Sequence, residues 1–144
     1  MNSGSAWTAL SGTMSDSRRN GGGVVIKGQN GEPDKLWVFG PSQNSDFVYS
    51  DGTIEPGPTP PDGRRHPCMV YLETGNVLIV GGADSKDKKK VTLYNPTTGE
   101  FKTQADMNHE RDRFACASFK SAKYGKISCY QILTFMFFLS TFNP

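Results

Sequence analysis

The clearest pattern of apolar and polar positions lies between residues 64 and 107 and reads as four short strands in succession. Cys68, Met69, Val70, Tyr71 and Leu72 form one apolar run, and Val77, Leu78, Ile79 and Val80 form a second. Between them Glu73, Thr74, Gly75 and Asn76 carry turn chemistry, so the two runs predict a hairpin. The second run contains no polar position, which predicts a strand covered on both faces. Gly81 and Gly82 close it, where missing Cβ atoms permit a positive φ and a close approach of backbone. After a polar loop over residues 83–90, Val91, Thr92, Leu93 and Tyr94 alternate as a third strand does. Asn95, Pro96, Thr97, Thr98 and Gly99 supply a turn, and Glu100, Phe101, Lys102 and Thr103 open a fourth strand. The pattern predicts a four-stranded antiparallel meander of about 45 residues.

A weaker copy lies upstream. Gly23, Val24, Val25, Ile26 and Lys27 predict its first strand, and Leu36, Trp37, Val38 and Phe39 its second, closed by Gly40 and Pro41 in place of two glycines. Ser45, Asp46, Phe47, Val48 and Tyr49 predict the third, with Tyr49 at the place of Tyr94. Thr53, Ile54 and Glu55 begin the fourth, with Ile54 at the place of Phe101. The proline-rich run from Pro56 to Pro61 then forbids further ladder pairing, and it reads as a connector in preference to a polyproline ligand. Trp7 to Met14 mirrors Phe101 to Met107. Arg19 and Arg65 stand 46 residues apart, while Arg65 and Arg113, like Cys68 and Cys116, stand 48 apart. A period in this range at several landmarks signals a repeat architecture.

The double glycine closing the second strand, the tyrosine in the third and the aromatic opening the fourth resemble the kelch repeat. Gly81, Gly82, Tyr94 and Phe101 carry the resemblance, with Trp7, Gly40 and Tyr49 as the matching landmarks upstream. It covers roughly residues 7–126 and extends to the propeller of the galactose oxidase group. The fold it implies is all-β: a partial kelch-type β-propeller built of four-stranded antiparallel blades. Residues 1–18 would hold the fourth strand of a preceding blade, 19–63 a divergent blade, 64–108 the best-matched blade and 109–126 the first strand of an incomplete one. Residues 127–144 form an aberrant apolar tail. A lone blade buries too little apolar area, at about 25 cal/mol per Å², to offset about 1.5 kcal/mol of ordering entropy per residue. About two and a half blades also cannot close a ring of four to eight. The chain is therefore expected to be a fragment of a larger propeller or a product that folds poorly alone.

Composition adds limits. Sixteen glycines and nine prolines in 144 residues fit an all-β chain rich in turns. A net charge of +2 gives no reason to expect nucleic acid or an anionic membrane as partner. The first residues do not read as a signal peptide, and the compartment stays open. The tail is mostly apolar only over residues 132–142, short of the roughly 20 that a spanning helix needs. A truncated or misread tail, a strand and a membrane anchor are its three readings, in that order.

Chemistry is sparse. His66 and His109 have no second histidine or acid at metal spacing, so no metal site and no cofactor are expected. Cys68 and Cys116 are read as small buried thiols, because equivalent strand positions in adjacent blades are not expected within about 7 Å of each other. Arg18, Arg19, Arg64, Arg65, Arg111 and Arg113 recur where one blade passes to the next. Arg19, Arg65 and Arg113 are the candidate partner-binding residues, suited to carboxylates or phosphates. The bland alternative pairs the arginines with backbone or with Asp16, Asp62, Glu110 or Asp112. No catalytic residues are expected, since no nucleophile and base order, paired carboxylate or phosphate loop appears. The resemblance thus implies a protein-interaction module that binds a protein partner through blade loops and is not an enzyme. Its rivals are a fragment of an enzymatic propeller of the galactose oxidase group and a truncated product without activity of its own. The resemblance implies for the enzyme group a copper site with Tyr, His and a Tyr-Cys crosslink, for which the chain offers no matched set.

Overall fold

The computed structural model describes residues 9–10, 12–118, 127–133 and 136–142, and these are all-β without a helix. Strands β1 (Gly22–Ile26), β2 (Lys35–Phe39), β3 (Ser45–Tyr49) and β4 (Ile54–Pro56) form one antiparallel sheet in that order. Strands β5 (Cys68–Tyr71), β6 (Val77–Val80), β7 (Val91–Asn95) and β8 (Glu100–Thr103) form a second with the same order. This is the partial β-propeller-like architecture that the apolar pattern predicts.

The two sheets are copies in register. Gly22 pairs with Phe39 as Cys68 pairs with Val80, and Val48 pairs with Ile54 as Tyr94 pairs with Phe101. The place of Tyr94 is thus held by Val48 and not, as the sequence suggested, by Tyr49, whose counterpart is Asn95. The uninterrupted apolar run becomes β6, and all four of its residues are buried. On one side Val77 and Ile79, with Met69 and Tyr94, meet Ile26, Trp37 and Phe39 of the first sheet. On the other, Leu78 and Val80 join Val70, Leu72, Val91, Met107 and Phe114. Trp37 is fully buried, its ring 4.8 Å from Tyr94, 5.6 Å from Phe39 and 6.2 Å from Phe101. Tilted and offset contacts of this kind add to simple area burial.

The glycines act as expected at two places. Gly75, at φ 83°, completes the β5–β6 turn, where its N–H donates to the Leu72 carbonyl at 2.9 Å. Gly81, at φ 61°, ends β6, and a Cβ there would lie 2.7 Å from both the Arg111 carbonyl and the Phe114 ring. Only glycine meets both demands.

Several expectations need adjustment. Pro56 does not stop the ladder: it pairs with Asp46, and the next N–H, of Gly57, donates to the Ser45 carbonyl at 2.8 Å. β4 is an edge strand, and backbone alternation turns the proline nitrogen away from β3. Trp7 and the other residues 1–8 lie outside the described residues, and residues 12–18 enter no ladder. They run along the first sheet instead, with Gly12 against Ile54 and the Ser15 N–H 3.1 Å from the Asp46 carboxylate. Residues 109–118 likewise enter no ladder, although Phe114 is buried and the Ser118 hydroxyl donates to the Tyr71 carbonyl at 3.1 Å. The remainder of that stretch, 119–126, lies outside the described residues. In the tail, β9 (Ile127–Leu133) and β10 (Met136–Phe142) pair antiparallel. No helix among the described residues is long and apolar enough to cross a membrane.

The reading of Cys68 and Cys116 as free thiols is wrong. They form a disulfide with their Cα atoms 6.0 Å apart. The distance argument failed because neighbouring units converge on their first strands. β1 runs beside β5, and at Gly22, the counterpart of Cys68, a Cβ would come 2.7 Å from the Pro67 carbonyl. Equivalent positions of adjacent units therefore approach within bridging range.

The disulfide closes a separation of 48 residues, for which the chain-entropy relation gives about 4 kcal/mol. Replacing Cys68 and Cys116 together by Ser should lower the unfolding free energy by about that amount. Urea unfolding with and without reductant measures it, and reductant should leave the double variant unchanged.

Candidate functional site

Three corners carry the chain into β1, into β5 and into residues 114–118. At each, one non-glycine residue has a positive φ: Asn20 (59°), His66 (52°) and Arg113 (49°). Two positions before each stands an arginine, Arg18, Arg64 or Arg111. The structural register of the corners is thus set by these three, and not by Arg19, Arg65 and Arg113.

Arg64 is buried, with 2% of its surface exposed. Its guanidinium donates to Thr92 Oγ1 at 2.5 Å and to the carbonyls of Ile79 and Lys90, each at 3.3 Å. Arg18 donates to the Asp46 carboxylate and to Ser15 Oγ at 2.8 Å. Thr92 and Asp46 are both the second residue of a third strand, and each lies 28 residues beyond its arginine. One clasp therefore recurs: the entry arginine reaches across its own sheet and ties the corner to the third strand. A guanidinium taken out of water needs such acceptors, and their loss would leave a buried charge unpaired.

The electrostatics follow from this placement. Burial works to raise the Asp46 carboxyl but is outweighed by the hydrogen bonds from Arg18 and Ser15, which hold it below its ordinary 3.8. Burial lowers Arg64 below the ordinary guanidinium value, and Asp62 and Asp87 pull the other way. Asp62, which accepts a hydrogen bond from Lys90 at 3.0 Å, holds that ammonium above its usual 10.5.

Neighbouring corners are joined through backbone. The His66 N–H donates to the Asn20 carbonyl at 2.7 Å, the Ala83 N–H to Arg65 at 2.7 Å, and the Gly82 N–H to Arg111 at 3.3 Å. The Gly81 and Gly82 turn is thus the bridge between the second corner and the third. Along this rim Arg19, Arg65 and Arg113 are exposed, and Arg113 lies 3.6 Å from Asp112. The local pairing set out for the arginines is found at Asp62, 3.8 Å from Arg64, and at Asp112. Arg111 Nη1 donates to the backbone carbonyl of Glu110 at 3.2 Å, and Arg18 takes Asp46 in place of Asp16. Asp46 and Thr92 went unrecognised in the sequence, where the repeated spacing of 28 from an arginine was the available signal.

His66 sits half-buried at its corner and His109 is exposed. Among the described residues no three His, Cys, Asp or Glu side chains are grouped to hold a metal. At the opposite end of the sheets a cavity of about 290 Å³ is lined by Lys27, Lys35, Tyr49 and Tyr71 among others. Its cations are engaged: Lys27 pairs with Asp34 at 2.6 Å, and Lys35 lies 4.3 Å from the Phe47 ring centre.

No protein-family model matches the chain, and no curated protein matches it in sequence. In structure it is similar to a fungal alcohol oxidase of the AA5 family, solved in complex with copper. The two are 15% identical with a TM-score of 0.62, over 78% of this chain and 27% of the oxidase. The chain thus spans about a quarter of that protein. At this identity the likeness shows a shared fold, two antiparallel blades of a propeller. It also corrects the reading of the chain as non-enzymatic, because the protein that shares its fold is an enzyme.

Two measurements probe the clasps. Thr92→Val should cost about 2 kcal/mol of unfolding free energy in the native background but close to nothing in an Arg64→Met background, as a double-mutant cycle in urea would show. For the other clasp, the lowered Asp46 means that its stabilisation is complete above the ordinary 3.8 and is lost as pH falls through the native value. Thermal melts taken between about pH 2 and about pH 6 should show that acid limb shallower in Asp46→Asn.

Proposed function

We propose that the chain is a segment of an enzymatic propeller of the galactose oxidase-like group, whose kelch-type blades form the wall that carries a reacting centre. The observation that supports this most is the likeness in structure, over 78% of the chain, to part of an alcohol oxidase. The landmark residues add to it. Tyr94 and Phe101 stack at 4.7 Å across β7 and β8, and both reach Trp37 of the preceding sheet. Two blades leave the ring open, so the parent would supply the others.

The residues described here do not fit a copper centre. Cys68 and Cys116 are consumed by their disulfide, Tyr94 is packed among rings, and no suitable trio of ligands is grouped. Such a centre would draw its ligands from the rest of the parent, and no step is derived through it. The disulfide supports maturation in an oxidising compartment.

The rim supports a second reading. Arg19, Arg65 and Arg113 point to water beside buried arginines, as a surface for an acidic protein partner would require. One experiment separates the two. The full-length product of the transcript encoding residues 1–126 is purified and assayed for copper-dependent alcohol oxidation. It should oxidise an alcohol, and Ala at positions 19, 65 and 113 together should leave that rate unchanged. A product that oxidises no alcohol and loses a bound acidic protein on the triple substitution would overturn the enzymatic reading in favour of the second.

A further inference from the structure

At four places an asparagine or aspartate is followed by glycine: Asn20–Gly21, Asn30–Gly31, Asp51–Gly52 and Asp62–Gly63. Such pairs are chemically labile. With no Cβ on the second residue, its backbone nitrogen can reach the side-chain carbonyl carbon of the first and close a cyclic imide. The attack needs an unengaged nitrogen, an unengaged side chain and access to water. The fold withholds one or more of these from three of the pairs.

The Gly21 N–H is bound to the Arg18 carbonyl at 3.1 Å, and the Asn20 carbonyl accepts from the His66 N–H at 2.7 Å. The Gly52 N–H is bound to the Tyr49 carbonyl at 3.1 Å, and the Asp51 carboxylate accepts the Thr53 N–H at 2.8 Å. Gly63 is packed so closely that a Cβ would overlap the Pro41 carbonyl, and Lys90 holds the Asp62 carboxylate at 3.0 Å. Asn30 and Gly31 differ on every count. Both are exposed, and a Cβ on Gly31 would meet nothing within 4 Å. Among the described residues neither the Gly31 N–H nor the Asn30 side chain has a hydrogen-bond partner. Asn30 at φ 53° and Gly31 at φ 88° are the central pair of a turn closed by the Glu32 N–H on the Gln29 carbonyl at 3.0 Å. That bond lies at a loop tip and opens without disturbing either sheet. The corresponding turn of the second sheet places Asn76 after Gly75, so the labile order is nothing that the sheet requires.

We propose that Asn30–Gly31 is a self-modification site, the one of these four pairs that reacts in the folded chain, by deamidation of Asn30. The Gly31 nitrogen gives its proton to a base in solution and bonds to Cγ of Asn30. The Cγ–Nδ2 bond breaks and ammonia leaves. Water then adds to either carbonyl of the imide, which leaves aspartate or isoaspartate at position 30. Water is consumed and ammonia released, and nothing is oxidised or reduced. The position gives the change an effect, because Asn30 lines the cavity of about 290 Å³ at the seam of the two sheets. Its charged lining is Lys27, Lys35 and Glu32, so a new carboxylate turns two cations against one anion into two against two. Isoaspartate also lengthens the main chain of a loop so tight that Gly28 has no room for a Cβ beside the Glu32 carbonyl. The lining thus loses its positive excess, and its loop changes course.

Trypsin puts the two asparagine pairs on separate peptides, residues 20–27 and 28–35, so mass spectrometry follows each by itself. The 144-residue chain is aged in mildly alkaline buffer and, in parallel, in concentrated guanidinium chloride. In buffer the 28–35 peptide should gain the mass of deamidation and become a substrate for an isoaspartyl methyltransferase. The 20–27 peptide should gain it at least about tenfold more slowly, since its engaged nitrogen must first be released. In denaturant the two should react at similar rates, because glycine follows each asparagine. Asn30→Gln should end the gain in the 28–35 peptide, as glutamine must close a larger ring. An Asn30 that stays intact in buffer while reacting in denaturant overturns the proposal, and so does an Asn20 that keeps pace with it in buffer. A mass gain that persists in Asn30→Gln assigns the change to Gln29 and overturns it as well.

Discussion

A sheet that is apolar on both faces has to be sandwiched, and in this chain that constraint falls hardest on β6. All four of its residues are buried, two turned toward Trp37 and Phe39 and two toward Met107 and Phe114. Neither cover comes from β6's own sheet. The second sheet is therefore stable only in company, with the first sheet on one side and residues 107–116 on the other. This is the logic of a repeat architecture, where stability resides in the interfaces between units as much as in the units. It also explains why the aromatic residues gather at the seam. Trp37, Tyr94 and Phe101 fill the widening space between two sheets that meet at β1 and β5, where Gly22 lies against Pro67 and Met69.

Holding successive units in register needs more than apolar contact, because burial has no direction. Direction comes from the corners. Each uses a left-handed residue to turn the chain inward, and in both complete sheets the arginine two positions earlier is fastened to the third strand. A guanidinium suits the task. It offers several donors in a rigid plane, so one side chain can satisfy carbonyls and a side-chain oxygen together. Arg64 does so with the carbonyls of Ile79 and Lys90 and the hydroxyl of Thr92. The first sheet solves the same problem with a carboxylate, Asp46, which makes its clasp an ion pair and sensitive to acid in a way that the second is not.

What could be read from the chain was what repeats along it. The strands follow from local alternation and from turn residues, and both are visible without knowing where the chain goes. Gly81 was legible for the same reason, since a double glycine after an apolar run announces a backbone demand whatever the partner is. The disulfide was not legible: its feasibility depends on how sharply two sheets converge, which Gly22 and Pro67 reveal only in three dimensions. The arginine register was missed by one step at the first two corners and by two at the third. Arg18 and Arg19, like Arg64 and Arg65, are adjacent and alike in the sequence, and only the turn at Asn20 or His66 decides which of the two is drawn inside. The pairing of β9 with β10 could not be chosen beforehand, because a short apolar run without turn signals suits several fates.

Function was less legible than fold because a blade is a wall and chemistry needs a site. In a propeller, loops from several blades converge on one end of the ring, so a constellation of side chains belongs to no single repeat. Two sheets can display one sector of such an end. Here that sector is the joined rim of corners, and its buried arginines are spent on holding the sheets together while Arg19 and Arg65 remain at the surface. The lack of a grouped ligand set among the described residues is thus what either an enzyme's wall or a binding module's wall would show in a sector of this size. The deciding residues are those that complete the ring.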